Sequence, residues 1–131
     1  FRSPVDKGVR ATGLPIPGLD RAESMYDFIG ASYVLNDHSL DGEEHATLVP
    51  LGGGRMPYVV QPSLTWAIGT HTMYNYQQGG DREMLWFGGE RVKANLMFVD
   101  LHVRMRVDVP PPVKGRPVNT TAEYTFLPTP E

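Results

Sequence analysis

The stretch from residue 88 to residue 107 constrains the fold more closely than any other part of the sequence. It is GGERVKANLMFVDLHVRMRV, in which apolar residues recur at alternate positions on both sides of Asp100-Leu101. Because successive side chains of a β-strand point to opposite faces, this pattern predicts a β-hairpin that turns at Asp100-Leu101. The predicted register consists of four pairs: Val99 with His102, Phe98 with Val103, Leu96 with Met105, and Ala94 with Val107.

This register gives the hairpin one dry face and one solvated face. The dry face carries Phe98, Val103, Leu96, Met105, Ala94 and Val107, and the solvated face carries Met97, Val99, His102, Arg104 and Arg106. A slip of one residue would turn both arginines into the dry face, where unpaired charges are costly. The turn is less well specified, because a two-residue loop needs positive φ at both positions and Leu101 lacks the freedom of glycine. Either another turn type or local packing must accommodate Leu101.

The same stretch resembles the C-terminal signature of a large bacterial group of pilin-like proteins, related to type IV pilins and type II secretion pseudopilins. That signature has a His, nine residues and then Asp-Gly. The matching residues are Gly88, Gly89, Asn95, Met97, Phe98, Asp100, His102 and Val103. The sequence differs at two signature positions, since Glu90 replaces the His and Leu101 replaces the Gly.

Two further segments resemble the same group. Residues 1–6, FRSPVD, resemble its Phe-x-Cys-Pro-x-Asp segment with Ser3 in place of the Cys, and Ser32-Tyr33 with Asn36 resembles its Ser-Tyr-x-x-Asn element. The resemblance implies the globular head of a filament or secretion-pseudopilus subunit (a prepilin-derived structural protein) in the cell envelope, periplasm or cell surface. It implies no enzymatic activity, and partners that are like subunits or other pilin-like proteins. Membrane contact would come only through a hydrophobic helix preceding Phe1. The alternative function is an extracytoplasmic module that binds carbohydrate or protein.

Composition supports a loop-rich globular domain. The chain has 131 residues, with 14 Gly and 12 Pro, and its apolar content is high enough to fold. We expect one domain over residues 1–131, of α+β class: an antiparallel β-sheet with a central C-terminal hairpin at about 94–107, little helix, and long Pro/Gly-rich loops. The absence of Cys excludes disulfides, thiolate catalysis and Cys-based zinc sites. A net charge of −3 argues against a generally basic nucleic-acid binder.

Charge is distributed unevenly along the sequence. Residues 20–44 contain seven acidic residues and one basic residue, whereas residues 91–116 contain six basic residues and two acidic ones. A dipolar chain suits side-by-side packing of like subunits, although charges scattered over a solvated surface remain the simpler interpretation. No segment approaches the roughly 20 apolar residues that a membrane span needs. The sequence begins with Phe, so we expect it to be part of a longer chain.

Local patterns predict the remaining elements. Asp20 with Glu23 and Gly30 favours a short helix over 20–29, followed by a strand over 31–36. Further strands are predicted over 58–61 and 63–69, and residues 122–127 suit an edge strand.

Polar loops offer three candidate binding sites. Asp37, Ser39 and Asp41 have the spacing of a calcium loop, but its twelfth position is Leu48 in place of Glu, so an acidic surface loop is the preferred interpretation. A zinc site from His38 and His45 with Glu43 or Glu44 is weaker still. His71, Tyr74, Tyr76 and Gln77 suit a sugar-binding platform, whereas tyrosines that cover the sheet are the commoner outcome. We therefore expect no cofactor.

No catalytic constellation emerges from the sequence. The four histidines, His38, His45, His71 and His102, do not form a recognised metalloprotease spacing, and no Gly-x-Ser-x-Gly nucleophile elbow occurs. His102 stands beside Asp100 at the hairpin turn, where a partly exposed structural histidine is the expected role. We assign no catalytic, cofactor-binding or metal-binding residue.

Overall fold

The computed structural model describes residues 1–8, 10–11, 18, 21–36, 59–76, 82–83, 85–111 and 121–125. In chain order its elements are β1 (Arg10–Ala11), α1 (Met25–Ile29), β2 (Tyr33–Leu35), β3 (Trp66–Thr70), a 3₁₀ helix (His71–Tyr76), β4 (Arg82–Glu83), β5 (Lys93–Phe98) and β6 (Val103–Asp108). The described part therefore contains a four-stranded antiparallel sheet, a small β1-β4 pair and little helix. The predicted α+β class is confirmed.

The four-stranded sheet has the order β2-β3-β5-β6, and every neighbouring pair is antiparallel. The predicted hairpin supplies β5 and β6, so β5 lies inside the sheet and β6 has one strand neighbour among the described residues. One face of the sheet covers the main core. Its buried members are Trp66, Met73, Ala94, Leu96, Phe98, Val107, Val109 and Tyr124.

The register of the hairpin differs from the predicted one over most of its length. Ala94 pairs with Val107 as predicted, but Leu96 pairs with Arg104 and Met97 with Val103. The prediction that Val103 and Met105 lie in the dry face is therefore wrong: they are 58% and 66% exposed. The predicted inward positions of Ala94, Leu96, Phe98 and Val107 are confirmed.

A longer loop and a compensating bulge explain the shift. The amide of Phe98 donates to the carbonyl of His102, and the amide of Leu101 donates to the carbonyl of Phe98, each at 2.9 Å. The loop thus has three residues, of which only Leu101 has positive φ, at 73°. Further along, Asn95 lies opposite two β6 residues, and its Oδ1 accepts a 2.9 Å hydrogen bond from the amide of Arg106. This extra residue restores the predicted pairing at Ala94.

The shift brings Arg104 onto the core side of the sheet without burying an unpaired charge. Arg104 is opposite Leu96, but it remains exposed because β6 is at the end of the sheet. Its guanidinium carbon lies 5.4 Å from the ring centroid of Phe98, and it donates to the carbonyl of Glu123 at 3.3 Å. In this arrangement, which alternation of apolar and polar residues does not predict, an edge strand lets an arginine stem cover apolar surface while its head stays in water.

Leu101 provides a direct test of the loop geometry. The residue combines positive φ with 74% exposure, so packing does not hold it in place. Because a left-handed conformation costs an L-residue about 1–2 kcal/mol, Leu101→Gly is expected to raise the free energy of unfolding by about 1 kcal/mol. Urea unfolding followed by tryptophan fluorescence measures the change. Leu101→Ala, which keeps the Cβ, should give little gain, and equal stabilities for the two variants would contradict the loop assignment.

Helix α1 begins later than predicted. Its N-cap is Ser24, whose hydroxyl accepts a hydrogen bond from the amide of Asp27 at 3.0 Å and donates to the Asp27 carboxylate at 2.6 Å. This reciprocal pair replaces the predicted cap at Asp20, which lies outside the described residues. The predicted stop at Gly30 is confirmed, with φ of 82° and an amide that donates to the carbonyl of Tyr26.

Two of the other predicted strands are present in the structure, and two are not found as strands among the described residues. The strand over 31–36 corresponds to β2, and the strand over 63–69 corresponds to β3, with residues 62–64 forming a turn. Residues 59–61 are not strand, and within 122–127 the described part holds one isolated parallel bridge, between Thr125 and Thr65. Residues 1–8 are joined to the rest of the fold by hydrogen bonds.

Candidate functional site

The outer face of the sheet, opposite the core, carries a continuous row of apolar residues. Leu35 of β2 pairs with Ile68 of β3, Ile68 pairs with Met97 of β5, and Met97 pairs with Val103 of β6. Directly paired residues project to the same face, so these four side chains form one line across all four strands, which we call the outer row. The parallel line on the core side is Val34, Gly69, Leu96 and Arg104.

The two ends of the outer row are the most exposed. Leu35 is 62% exposed and Val103 is 58% exposed, whereas Ile68 and Met97 are half-buried. Met105 and Leu101 extend the exposed apolar surface along β6 and its loop, at 66% and 74%. Each Å² of apolar area removed from water contributes about 25 cal/mol, so exposed apolar side chains of this kind are suited to an interaction.

Charged groups alternate with these apolar residues on β6. Arg104 and Arg106 are exposed, and neither forms an ion pair with any residue in the described part of the chain. Asp108, at the end of the strand, does form ion pairs. Its carboxylate accepts a hydrogen bond from Lys93 at 2.8 Å and another from Arg91 at 3.4 Å. The hydrogen bond from Lys93 lowers the pKa of Asp108 below its usual value, and the charge of Arg91 adds to this effect. Arg104, which already donates to the Glu123 carbonyl, and Arg106 thus carry charges that no described carboxylate neutralises.

The hairpin loop holds His102 in a fixed orientation. Its ring stacks on Phe98 with centroids 4.4 Å apart and planes nearly parallel, and its Nδ1 contacts the Asp100 carboxylate. The hydrogen bond with His102 lowers the pKa of Asp100. The contacts of His102 that the structure describes thus organise the loop.

Residues 1–6 and 32–36, two segments that carry the pilin-like resemblance, meet in the structure. The carboxylate of Asp6 accepts hydrogen bonds from the amides of Gly8, Met25 and Tyr26 and from the hydroxyl of Ser32. In addition, the amide of Ser3 donates to the Ser32 hydroxyl at 2.9 Å. This group of contacts, which we call the N-terminal clamp, fastens residues 1–8 to α1 and β2. Sequence reasoning did not assign Asp6 this role, because its partners lie up to 26 residues away.

The two asparagines of the resemblance also bind backbone. Asn36 donates from Nδ2 to the carbonyl of Trp66 at 2.8 Å. Asn95 accepts the Arg106 amide at the bulge, and its own amide donates to the Thr70 hydroxyl at 3.1 Å. Both side chains therefore hold neighbouring strands in position, which is an architectural role.

Most of the predicted ligand sites fall outside the described residues. This holds for Asp37, Ser39 and Asp41 of the possible calcium loop, for His38, Glu43, Glu44 and His45 of the possible zinc site, and for Gln77 and the side chains of Tyr74 and Tyr76. His71 is 7% exposed, so it is not part of an open sugar platform. Within the described ranges no cluster of three His, Asp or Glu residues is arranged to hold a metal ion. Likewise, none of the described helices is long and apolar enough to cross a membrane.

No family model, curated protein or solved structure matches the chain.

A cleft of about 650 Å³ lies beside the far end of the hairpin. Its lining comes from residues 90–92, 108–111 and 121–123, and it includes three acidic residues, Glu90, Asp108 and Glu123. Glu90 is the residue that replaces the signature His. Asp108 is paired with Lys93 and Arg91, and the apolar part of the lining includes Val92, Val109 and Pro110.

Proposed function

We propose that this chain is the globular head of a pilin-like or pseudopilin subunit, a structural protein without catalytic activity that associates with like subunits outside the cytoplasmic membrane. The observation that carries the proposal is the outer row, whose ends at Leu35 and Val103 stay exposed in the folded chain. A head that assembles with neighbours needs apolar surface that its own fold does not cover, and the outer row supplies it.

The architectural role of the resemblance residues supports the same proposal. Asp6, Asn36 and Asn95 direct their polar atoms to backbone groups. Residues with this role would be shared among proteins that have the same scaffold and different surfaces. In such a group, neighbours recognise one another through surface residues, which on the described sheet are chiefly those of β2 and β6.

Cross-linking in the native cells tests the proposal. The full-length protein, as its gene encodes it, is treated with formaldehyde in intact cells and recovered from the envelope fraction. We expect cross-linked species that contain further copies of the protein or proteins with a pilin-type hydrophobic N-terminal helix. Recovery from the cytoplasm, or from the envelope only as a monomer, contradicts the proposal.

Matched substitutions locate the surface in that experiment. Val103→Asp places a charge at one end of the outer row, and we expect it to reduce the cross-linked fraction by about fivefold. The control is Val60→Asp, because Val60 is similarly exposed, at 61%, but lies outside the strands. Equal effects of the two substitutions would remove the outer row from the proposal. Binding of glycans by a strictly monomeric protein would favour the carbohydrate-binding alternative.

A further inference from the structure

Strand β6 leaves one side of its backbone open, and we call this side, over residues 103–106, the β6 edge. Within the described part of the chain its strand neighbour is β5 alone. In an antiparallel pair, residues that exchange main-chain hydrogen bonds alternate with residues whose N–H and C=O groups point away from the partner strand. The amide of Phe98 donates to the carbonyl of His102, so the next pair, Met97 with Val103, is of the second kind. The main-chain groups of Val103 therefore point away from β5.

Met105 repeats this arrangement two residues further on. Arg104, which lies between Val103 and Met105, pairs with Leu96 and directs its main-chain groups to β5. At the bulge the amide of Arg106 also turns toward β5, where it donates to Oδ1 of Asn95. The β6 edge thus presents the N–H and C=O groups of Val103 and Met105, at the two-residue spacing with which an added strand forms its hydrogen bonds.

The side chains along the β6 edge have a fixed division between the two faces of the sheet. Val103 and Met105 are exposed on the outer face. Arg104 is exposed on the core side, where one of its N–H groups donates to the neutral carbonyl of Glu123. Directly neighbouring residues of a sheet project to the same face. A strand beside β6 would therefore need apolar residues next to Val103 and Met105 and an acidic residue next to Arg104.

Arg106 supplies separate support for a binding role of this edge. Its φ is 57°, in the left-handed region that favours glycine, and it lies at a β-bulge, where glycine commonly takes this conformation. Its side chain is exposed and forms no ion pair with a carboxylate of the described residues. Backbone strain that no internal contact of the side chain offsets is a feature of binding surfaces.

We propose that the β6 edge binds an extended segment of a partner protein in which apolar and acidic residues alternate, and that this segment joins the sheet beside β6. The open N–H and C=O groups select a peptide, since a nucleic acid or a lipid surface does not supply alternating main-chain donors and acceptors. The charges of Arg104 and Arg106 select an acidic peptide and repel a second β6 edge. The proposal goes beyond the subunit role and does not depend on it.

Binding of defined peptides to the purified full-length protein tests the proposal. The probe is a short fluorescent peptide, blocked at both ends, in which Val and Glu alternate. Three peptides serve as matched controls: one with the same residues in separate blocks, one in which Val alternates with Lys, and the probe with its main-chain amides methylated. By fluorescence anisotropy we expect the probe to bind at least about tenfold more tightly than each control.

Substitutions on β6 locate the contact. Arg104→Glu combined with Arg106→Glu should weaken binding of the probe about tenfold, whereas Arg21→Glu, at an exposed position outside the strands, should change it by less than about twofold. Met105→Pro removes an N–H that points away from β5, so the hairpin should persist while binding falls about tenfold. Hydrogen exchange followed by NMR should show slower exchange of the Val103 and Met105 amides when the probe is added.

Arg106→Gly separates a binding role of this arginine from a structural one. Glycine adopts a φ of 57° without strain, so we expect the melting temperature to rise by about 4 °C. Binding of the probe should weaken about threefold in the same variant, because one cation is lost. A rise in melting temperature with unchanged binding would contradict the binding role of Arg106.

Four results would overturn the proposal. The first is no binding of the probe at millimolar concentration. The second is equal binding of the block or methylated peptide, which would show attraction between charges without strand pairing. The third is unchanged binding by the Met105→Pro variant and by the double Arg→Glu variant, each shown to be folded by circular dichroism. The fourth is tighter binding of single-stranded nucleic acid or of anionic vesicles at the same arginines, which would assign the β6 edge to another class of partner.

Discussion

Replacing Asp6 with Ala is expected to lower the free energy of unfolding by about 2–4 kcal/mol. The Asp6 carboxylate accepts four hydrogen bonds, three from backbone amides and one from the Ser32 hydroxyl. A hydrogen bond to a charged group contributes about 1.5–3 kcal/mol, and bonds that share one acceptor do not add fully. The loss releases residues 1–8 from α1 and β2. Urea unfolding monitored by circular dichroism measures it.

Asp6→Asn is the matched control for this prediction. Asn keeps the size of the side chain and one acceptor oxygen, so its cost should be clearly smaller than that of Asp6→Ala. A cost below about 1 kcal/mol for Asp6→Ala would show that the N-terminal clamp does not hold the fold together.

The same group predicts a pH dependence of stability. Burial by itself raises the pKa of Asp6, but hydrogen bonds from Ser32 and from the amides of Met25, Gly8 and Tyr26 outweigh it, so the net pKa is lowered. A lowered pKa in the folded state gives stability that is fully present above the ordinary value of 3.8 and is lost as the pH falls through the folded value. The stability difference between the parent and Asp6→Asn should therefore shrink on acidification below that value. Asp100 and Asp108 are common to both proteins, so their contributions cancel.

Gly8→Ala is expected to cost about 3 kcal/mol. Gly8 has φ of 71°, and a Cβ at this position would lie 2.8 Å from the carbonyl oxygen of Ala22. The left-handed conformation costs about 1–2 kcal/mol for Ala, and the clash adds about 1–3 kcal/mol because a backbone atom cannot turn aside as a side chain does. The carbonyl of Gly8 also accepts the indole N–H of Trp86 at 2.8 Å, so a displaced backbone would weaken that bond.

Gly88→Ala separates the two contributions. Gly88 has nearly the same φ, 75°, but a Cβ there would meet no atom within 4 Å. We therefore expect a cost of about 1–2 kcal/mol, from conformation alone. The difference between the two variants in urea unfolding gives the cost of the clash, and equal costs would contradict the close approach of Gly8 to Ala22.

The hairpin illustrates what the sequence determines and what it leaves open. Alternation of apolar and polar residues identifies β5 and β6, because a strand with one buried face needs an apolar residue at every second position. The register depends on the length of the loop and on the bulge at Asn95, and alternation carries no signal for either. The three-residue loop shifts the pairing by one residue, and the bulge at Asn95 shifts it back. The predicted pair at Ala94 is therefore kept, whereas Val103 and Met105 are exposed and not buried.

The candidate site was less predictable than the fold for the same reason. The outer row depends on the correct register of three strand pairs, so an error in one pair hides it. In contrast, the cap at Ser24 had a signal in the sequence, since Asp27 follows it at the spacing of a capping box. The role of Asp6 had no such signal, because three of its four hydrogen-bond donors lie 19, 20 and 26 residues away in sequence.

The four strands of the sheet have a consequence for the shape of its outer face. Neighbouring strands in twisted sheets rotate by about 20–25° with a fixed hand, so the three steps from β2 to β6 amount to about 60–75°. A surface that covers Leu35 and Val103 together must therefore follow this twist, whereas a flat surface would touch only one end of the outer row.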